Sequence, residues 1–246
     1  ALSASSGPAC GPKLGCEAAS PAPTTQRARV VLFGDSLTQN GFGAHGWVSR
    51  VADVFSRRAD VLNRGYSGYN TRWARPVLEQ LLSSNVGEGA VLWAVWLGAN
   101  DAAVPSTHRQ HVPVAEYEEN LKVMIRQIQS ASPGRARIVV LTPPAVDDAK
   151  VLALNRARNP SQTVPDRTDE SAGRYAAAAR RAAAGCGVDV LDVRAALHAQ
   201  EQPPGDFLSD GLHFNDAGQE LVARLLVDFI SERFPDVAVA PCKFTG

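Results

Sequence analysis

A hydroxyl, an imidazole and a carboxylate are enough to move an acyl group to water, and this 246-residue chain carries all three in short Gly-containing segments. Ser36 lies in Gly34-Asp35-Ser36-Leu37, and Asp210 and His213 lie in Asp210-Gly211-Leu212-His213. A serine hydroxyl is a weak nucleophile until a base comes within hydrogen-bond reach. Imidazole serves as that base because its ordinary pKa of about 6.5 leaves it largely neutral at pH 7. In a turn or helical start, an offset of three residues makes the Asp210 and His213 side chains neighbours. The carboxylate there can accept the Nδ1 proton, fix the tautomer and stabilise the imidazolium. The tetrahedral oxyanion also needs donors. The Ser36 N–H, a glycine N–H from Asn63-Arg64-Gly65-Tyr66-Ser67-Gly68 and the Asn100 amide of Gly98-Ala99-Asn100-Asp101 would supply three. Ser36, Gly68 and Asn100 follow one another at equal steps, each close to one βα unit.

Plainer readings stand beside these. Ser36 taken alone could simply cap a helix, but its company with the other three segments favours chemistry. Asp35 and Asp101 read as turn and capping residues, since Asp bonds readily to nearby backbone amides. Trp47, Tyr66, Tyr69 and Trp73 flank the same loops and are candidates for a substrate pocket as much as for core packing. His45, His108, His111 and His198 show no metal-ligand spacing, so no metal is expected. The string from Gly41 to Gly46 matches G-x-G-x-x-G but starts well past the first strand, the wrong context for a dinucleotide. Neither a phosphate-binding G-x-x-x-x-G-K-[ST] loop nor a G-x-S-x-G elbow occurs. No cofactor is implied.

The elements that must position these groups are legible in outline. Short, mostly apolar runs at Arg29–Phe33, Asp60–Asn63, Ala90–Leu97, Arg137–Leu141 and Val188–Val193 predict parallel strands buried on both faces. Striped helices lie between them. One opens at Pro113 and carries Val114, Tyr117, Leu121, Met124, Ile125 and Ile128, and a last one, capped by Asn215, carries Leu221, Val222, Leu225, Leu226, Phe229 and Ile230. Alternation of this kind predicts an α/β fold, a three-layer α/β/α domain around a doubly wound five-stranded parallel sheet. Ligands in such sheets bind at the carboxyl ends of the strands, which is where all four segments fall. The stretch Pro143–Thr168 has weak periodicity and four prolines, and reads as an irregular flap beside that rim.

Composition narrows the partners. Lys plus Arg and Asp plus Glu number 25 each, so there is no basic excess for nucleic acid or an anionic membrane surface. The longest apolar run is too short to span a bilayer. Residues 1–28 read as an Ala/Pro/Ser-rich tail, 29–234 as the domain and 235–246 as a second tail. The chain begins with Ala, so a removed leader and a secretory or organellar route stay open beside a cytoplasmic one. A disulfide from Cys10 or Cys16 to Cys242 would pin the two tails in an oxidising compartment; packing of the tails against a protein partner is the alternative. Cys186 reads as a buried free thiol.

Taken in order, GDSL, the glycine block, Gly98-Ala99-Asn100-Asp101 and Asp210-Gly211-Leu212-His213 resemble the four signature blocks of the SGNH (GDSL) hydrolases. The resemblance implies Ser36, Gly68, Asn100 and His213 as the name-giving residues, Asp210 completing the triad, and a flavodoxin-like fold. It extends to Asn63–Ala74 and to Pro165-Asp166-Arg167-Thr168-Asp169-Glu170, which are similar to the isoamyl acetate-hydrolysing esterase group, and it covers roughly residues 29 to 234. The implied activity is hydrolysis of small to medium carboxylic esters. Acyl transfer from the same serine, and a catalytically idle subunit of an assembly, stay open beside it.

Overall fold

The computed structural model describes residues 27–105, 109–132, 134 and 136–238. Cys10, Cys16, Cys242, His108 and the expected tail contacts lie outside the described residues. Five strands form one fully parallel sheet: β1 (Ala28–Gly34), β2 (Ala59–Gly65), β3 (Ala90–Trp96), β4 (Arg137–Leu141) and β5 (Asp189–Leu191). Their order is β2-β1-β3-β4-β5. The chain therefore reverses its direction of winding between β1 and β3, and the carboxyl ends of those two strands frame the crevice where such sheets bind ligands.

The helices are α1 (Ser36–Gln39), α2 (Trp47–Phe55), α3 (Thr71–Ser83), α4 (Val114–Ala131), α5 (Asp148–Arg158), α6 (Asp169–Cys186), α7 (Val193–His198), α8 (Asp216–Arg233) and α9 (Pro235–Ala238). Strand period divides them into two layers. Val30 and Leu32 of β1 join α2, α7 and α8 in one apolar cluster, whereas Val31 and Phe33 join α3, α4 and α6 in another. The domain is thus a three-layer α/β/α sandwich. The α4 stripe is buried from Tyr117 through Leu121, Met124 and Ile125 to Ile128, with Val114 half-buried at its start. The Asn215 side chain caps α8 by accepting from Gly218 N at 3.0 Å, and of that helix's stripe Leu225 and Phe229 are only half-buried.

Several boundaries differ from the sequence reading, for local reasons. Pro113 is the N-cap of α4, not its first residue. β5 stops at Leu191 because the Asp192 carboxylate accepts from Ala195 N at 3.0 Å and starts α7. The packed chain extends past residue 234, since Val237 of α9 is buried against the α8 side. Cys186 is partly exposed rather than buried. The largest correction is Pro143–Thr168, expected to be irregular. Asp147 accepts from Lys150 N at 3.0 Å and opens α5 inside that stretch. Only Val151 of this helix is fully buried, so it has no broad apolar stripe to announce it.

Candidate active site

The Ser36, Gly68 and Asn100 segments sit where a strand hands over to a turn or helix, and Asp210 and His213 sit in the turn before α8. β1 ends at Gly34, and the completely buried Asp35 caps α1 by accepting from Leu37 N at 2.9 Å. Ser36 is consequently the first residue of α1, in the turn whose N–H groups have no intrahelical acceptor. Near the end of β2, the Asn63 side chain holds the chain by donating to Thr38 O and accepting from Gly65 N, both at 2.8 Å. Gln39 accepts from Ser67 N at 2.8 Å. These ties deliver Gly68 beside α1 with φ +81°, a conformation that costs residues other than glycine. After β3, the buried Asn100 donates through Nδ2 to the Tyr69 carbonyl at 2.9 Å; the second hydrogen of that amide is left for other acceptors.

The Asp210–His213 segment is a tight turn between residues 209 and 213, closed by Ser209 N donating to His213 O at 2.8 Å. Gly211 takes φ +93°, and a Cβ there would stand 2.6 Å from the Asp147 carbonyl, so the turn packs against the start of α5. Lys150 of α5 ties the preceding loop down by donating to Gly205 O at 2.7 Å and Leu208 O at 2.9 Å. Within the turn, Asp210 Oδ1 accepts from Leu212 N (2.9 Å) and His213 N (2.8 Å), and Oδ2 lies 2.8 Å from His213 Nδ1. The other ring nitrogen, Nε2, lies 2.9 Å from Ser36 Oγ.

Electrostatics follow from these contacts. Burial pushes the Asp210 carboxyl up, but the hydrogen bonds from His213 and the two backbone N–H groups outweigh it and hold the group well below the usual carboxylate range. The same Asp210 hydrogen bond raises His213 above its ordinary value, against the opposing effect of burial. Complete burial pushes Asp35 up to about 7, despite the Leu37 N–H and the nearby His213 and Arg167 charges. Burial also lifts Asp101 to about 7, although Thr71 donates to it from both backbone and side chain; Asp101 thus ties the start of α3 to the Asn100 turn.

Ser36, Gly68, Asn100, Asp210 and His213 line one cavity of about 210 Å³. The four aromatic candidates lie elsewhere. Trp47 is 1% exposed, packs edge-on against Trp96 and donates to Leu37 O at 2.8 Å, so it supports α1 from within the core. Tyr66 packs on Phe33, and Tyr69 bridges it to Trp73. Part of the lining comes instead from α5, through Val151, Leu154, Asn155 and Arg158 at helical i, i+3, i+4, i+7 spacing. The floor holds Gln110 and Arg167, two residues to which no role fell from sequence. Among the described residues no group of His, Cys, Asp and Glu could hold a metal, and no helix is long and apolar enough to cross a membrane.

A family model described as the GDSL-like lipase/acylhydrolase family matches residues 32–221. The chain belongs to this family. An isoamyl acetate-hydrolyzing esterase 1 homolog of Mus musculus is 38% identical over 223 residues, which cover 89% of this chain and 87% of the mouse protein. A GDSL esterase/lipase of Arabidopsis thaliana is 35% identical, covering 87% and 88%. Among solved structures, the lipase/acylhydrolase from Enterococcus faecalis superposes with a TM-score of 0.64 at 27% identity, over 84% of this chain and 96% of that one. An acetyl xylan esterase from Geobacillus stearothermophilus shares the fold, with a TM-score of 0.61 at 20% identity, over 82% and 94%. Membership in this family makes the chain a carboxylic ester hydrolase.

Proposed function

We propose that this chain is a serine esterase for small, acetyl-type esters, with Ser36 as nucleophile, His213 as base and Asp210 as its orienter. The observation that carries the reading is the unbroken relay from Ser36 Oγ to His213 Nε2 (2.9 Å) and from His213 Nδ1 to Asp210 Oδ2 (2.8 Å). With Nδ1–H directed at the carboxylate, Nε2 is free to accept the serine proton. As the Oγ–carbon bond forms, that proton passes to Nε2 and the carbonyl oxygen takes negative charge. The Ser36 N–H, the Gly68 N–H and the Asn100 amide are the donors assigned to that oxyanion. Collapse breaks the carbon–alkoxy bond, and the imidazolium returns its proton to the departing alcohol. Water then repeats the cycle on the acyl-serine and releases the acid.

Cavity size supports a small substrate. About 210 Å³ falls below the ~300–1,000 Å³ common for drug-sized ligands. The mouse relative is named for isoamyl acetate, an ester of that scale. A fluorophosphonate probe should label the wild type and leave Ser36→Ala unlabelled. Rates on p-nitrophenyl esters should fall from acetate to palmitate, since each methylene gains up to ~0.8 kcal/mol only while it fits the slot. A rate that climbs steadily to palmitate, or labelling that survives Ser36→Ala, would overturn the proposal. Product analysis with an added alcohol separates hydrolysis from acyl transfer.

A further inference from the structure

An arginine lies buried in the floor of the cavity. The Arg167 side chain is 7% exposed, and burying a guanidinium is costly even when it is paired, so stability alone would be served as well by an apolar residue. Its Nη1 faces Asp166 Oδ2 at 3.0 Å. Its Nη2 donates in two directions, to Asn100 Oδ1 at 3.3 Å and to Gln110 Oε1. Gln110 in turn donates through Nε2 to Gly68 O at 2.6 Å, and its own carbonyl accepts from Asn70 Nδ2 at 2.8 Å. A guanidinium can only donate. The atoms facing it must therefore be Asn100 Oδ1 and Gln110 Oε1, which turns Asn100 Nδ2 away from it and points Gln110 Nε2 at the Gly68 carbonyl. A donor held against Oδ1 also polarises the amide and strengthens the N–H on its far side.

We propose that Arg167 is a positioning residue of the oxyanion site, fixing the orientation of the Asn100 amide directly and the Gly68 turn through Gln110. This rests on the esterase reading above. Nothing in the arrangement requires Arg167 to touch the substrate, so its removal is a loss of rate rather than of binding.

The test is a mutant cycle read on p-nitrophenyl acetate, with Ser36→Ala as background control. Arg167→Met keeps the stem and removes every donor. It should lower kcat by roughly 10- to 100-fold while KM moves less than about threefold. Asn100→Ala should cost roughly 10²–10³ in kcat. In the Asn100→Ala background, Arg167→Met should cost no more than Gln110→Ala does, because only the Gly68 branch remains to be lost. Gln110→Ala, a truncation at a half-buried side chain, gives an independent reading if Arg167→Met fails to fold. It should lower kcat severalfold in the wild-type and Asn100→Ala backgrounds alike. Losses at Arg167 that multiply fully with Asn100→Ala, or that fall on KM, would overturn the inference while leaving the esterase reading intact. A wild-type chain with no Ser36-dependent turnover would remove both.

Discussion

Replacing Asp210 in two ways separates its effect on the imidazole from its effect on the turn. Asp210 accepts three hydrogen bonds, two backbone N–H groups at Oδ1 and the ring N–H at Oδ2. In Asp210→Asn the amide oxygen can occupy either position. Placed at Oδ2, it leaves the amide NH2 facing two backbone donors; placed at Oδ1, it leaves NH2 facing one ring nitrogen. At about 1 kcal/mol net per hydrogen bond, the second orientation wins. His213 must then present an unprotonated Nδ1, so its proton moves to Nε2 and the ring donates to Ser36 instead of accepting from it. We expect kcat to fall roughly 10⁴-fold with little loss of stability. Asp210→Ala leaves the tautomer free but abandons both backbone N–H groups. The side chain is 31% exposed, so water recovers part of that loss and about 1–2 kcal/mol remains. Asparagine should thus be the more stable variant and no more active than alanine. The acid limb should move too. Asp210 is the main cause of the raised His213 pKa, so Asp210→Ala should shift the limb to lower pH. Steady-state kinetics on p-nitrophenyl acetate and urea melts decide the matter. An Asp210→Asn enzyme with more than a tenth of the wild-type kcat, or one clearly faster than Asp210→Ala, would refute the tautomer argument.

Three further outcomes are expected. Trp47→Ala should destabilise by about 3–5 kcal/mol, since the ring fills the core under α1, whereas Trp73→Ala, 38% exposed, should cost no more than about 1.5 kcal/mol; similar urea midpoints for the two would refute the placement of Trp47. Gly211→Ala should cost both stability and kcat, because φ +93° and the nearby Asp147 carbonyl leave no room for a Cβ; a melt and rate within error of wild type would contradict it. Asp35→Asn keeps the cap to Leu37 and removes an acid whose folded pKa is raised to about 7. A raised acid binds more protons folded than unfolded, so it lowers stability as pH rises from about 4 to about 7. The variant should lose that slope, and parallel urea midpoints for variant and wild type at pH 5 and pH 8 would count against it.

How far the sequence reached depends on how far each feature is written locally. Five apolar runs and two striped helices carry their own period, so the sheet and its layers were legible. Ser36, Asn100, Asp210 and His213 are each held in a short motif just beyond a strand or before a helix, so their meeting at one cavity was legible too, while the roles given to them remain the proposal above. α5 was missed because it lies over the rim of the site and fully buries only Val151, which leaves a pattern indistinguishable from loop. Trp47, Tyr66, Tyr69 and Trp73 stayed open between pocket and core because adjacency to a loop of the site says nothing about which way a ring turns. Trp47 faces inward, where its indole N–H meets the Leu37 carbonyl.

Gln110 and Arg167 pose the deeper difficulty. Neither follows directly on a strand end, and Arg167 stands 67 residues from the Asn100 it touches. In the sequence Arg167 sits in an acidic run, Asp166-Arg167-Thr168-Asp169-Glu170, where a solvated surface arginine is the natural reading. What places it is the loop after α5. Asp166 N donates to Asn155 Oδ1 at 2.8 Å, and Val104 N donates to Asp166 O at 2.9 Å. The Thr168 side chain then caps α6 by accepting from Ser171 N at 3.1 Å. The guanidinium is thus carried inward by anchors on both sides, one of them on the α5 helix that the sequence did not disclose. Groups held in short motifs at strand ends and helix starts can be read from sequence, but the support beneath them is set by tertiary contacts, and the same helix that lines the cavity positions that support.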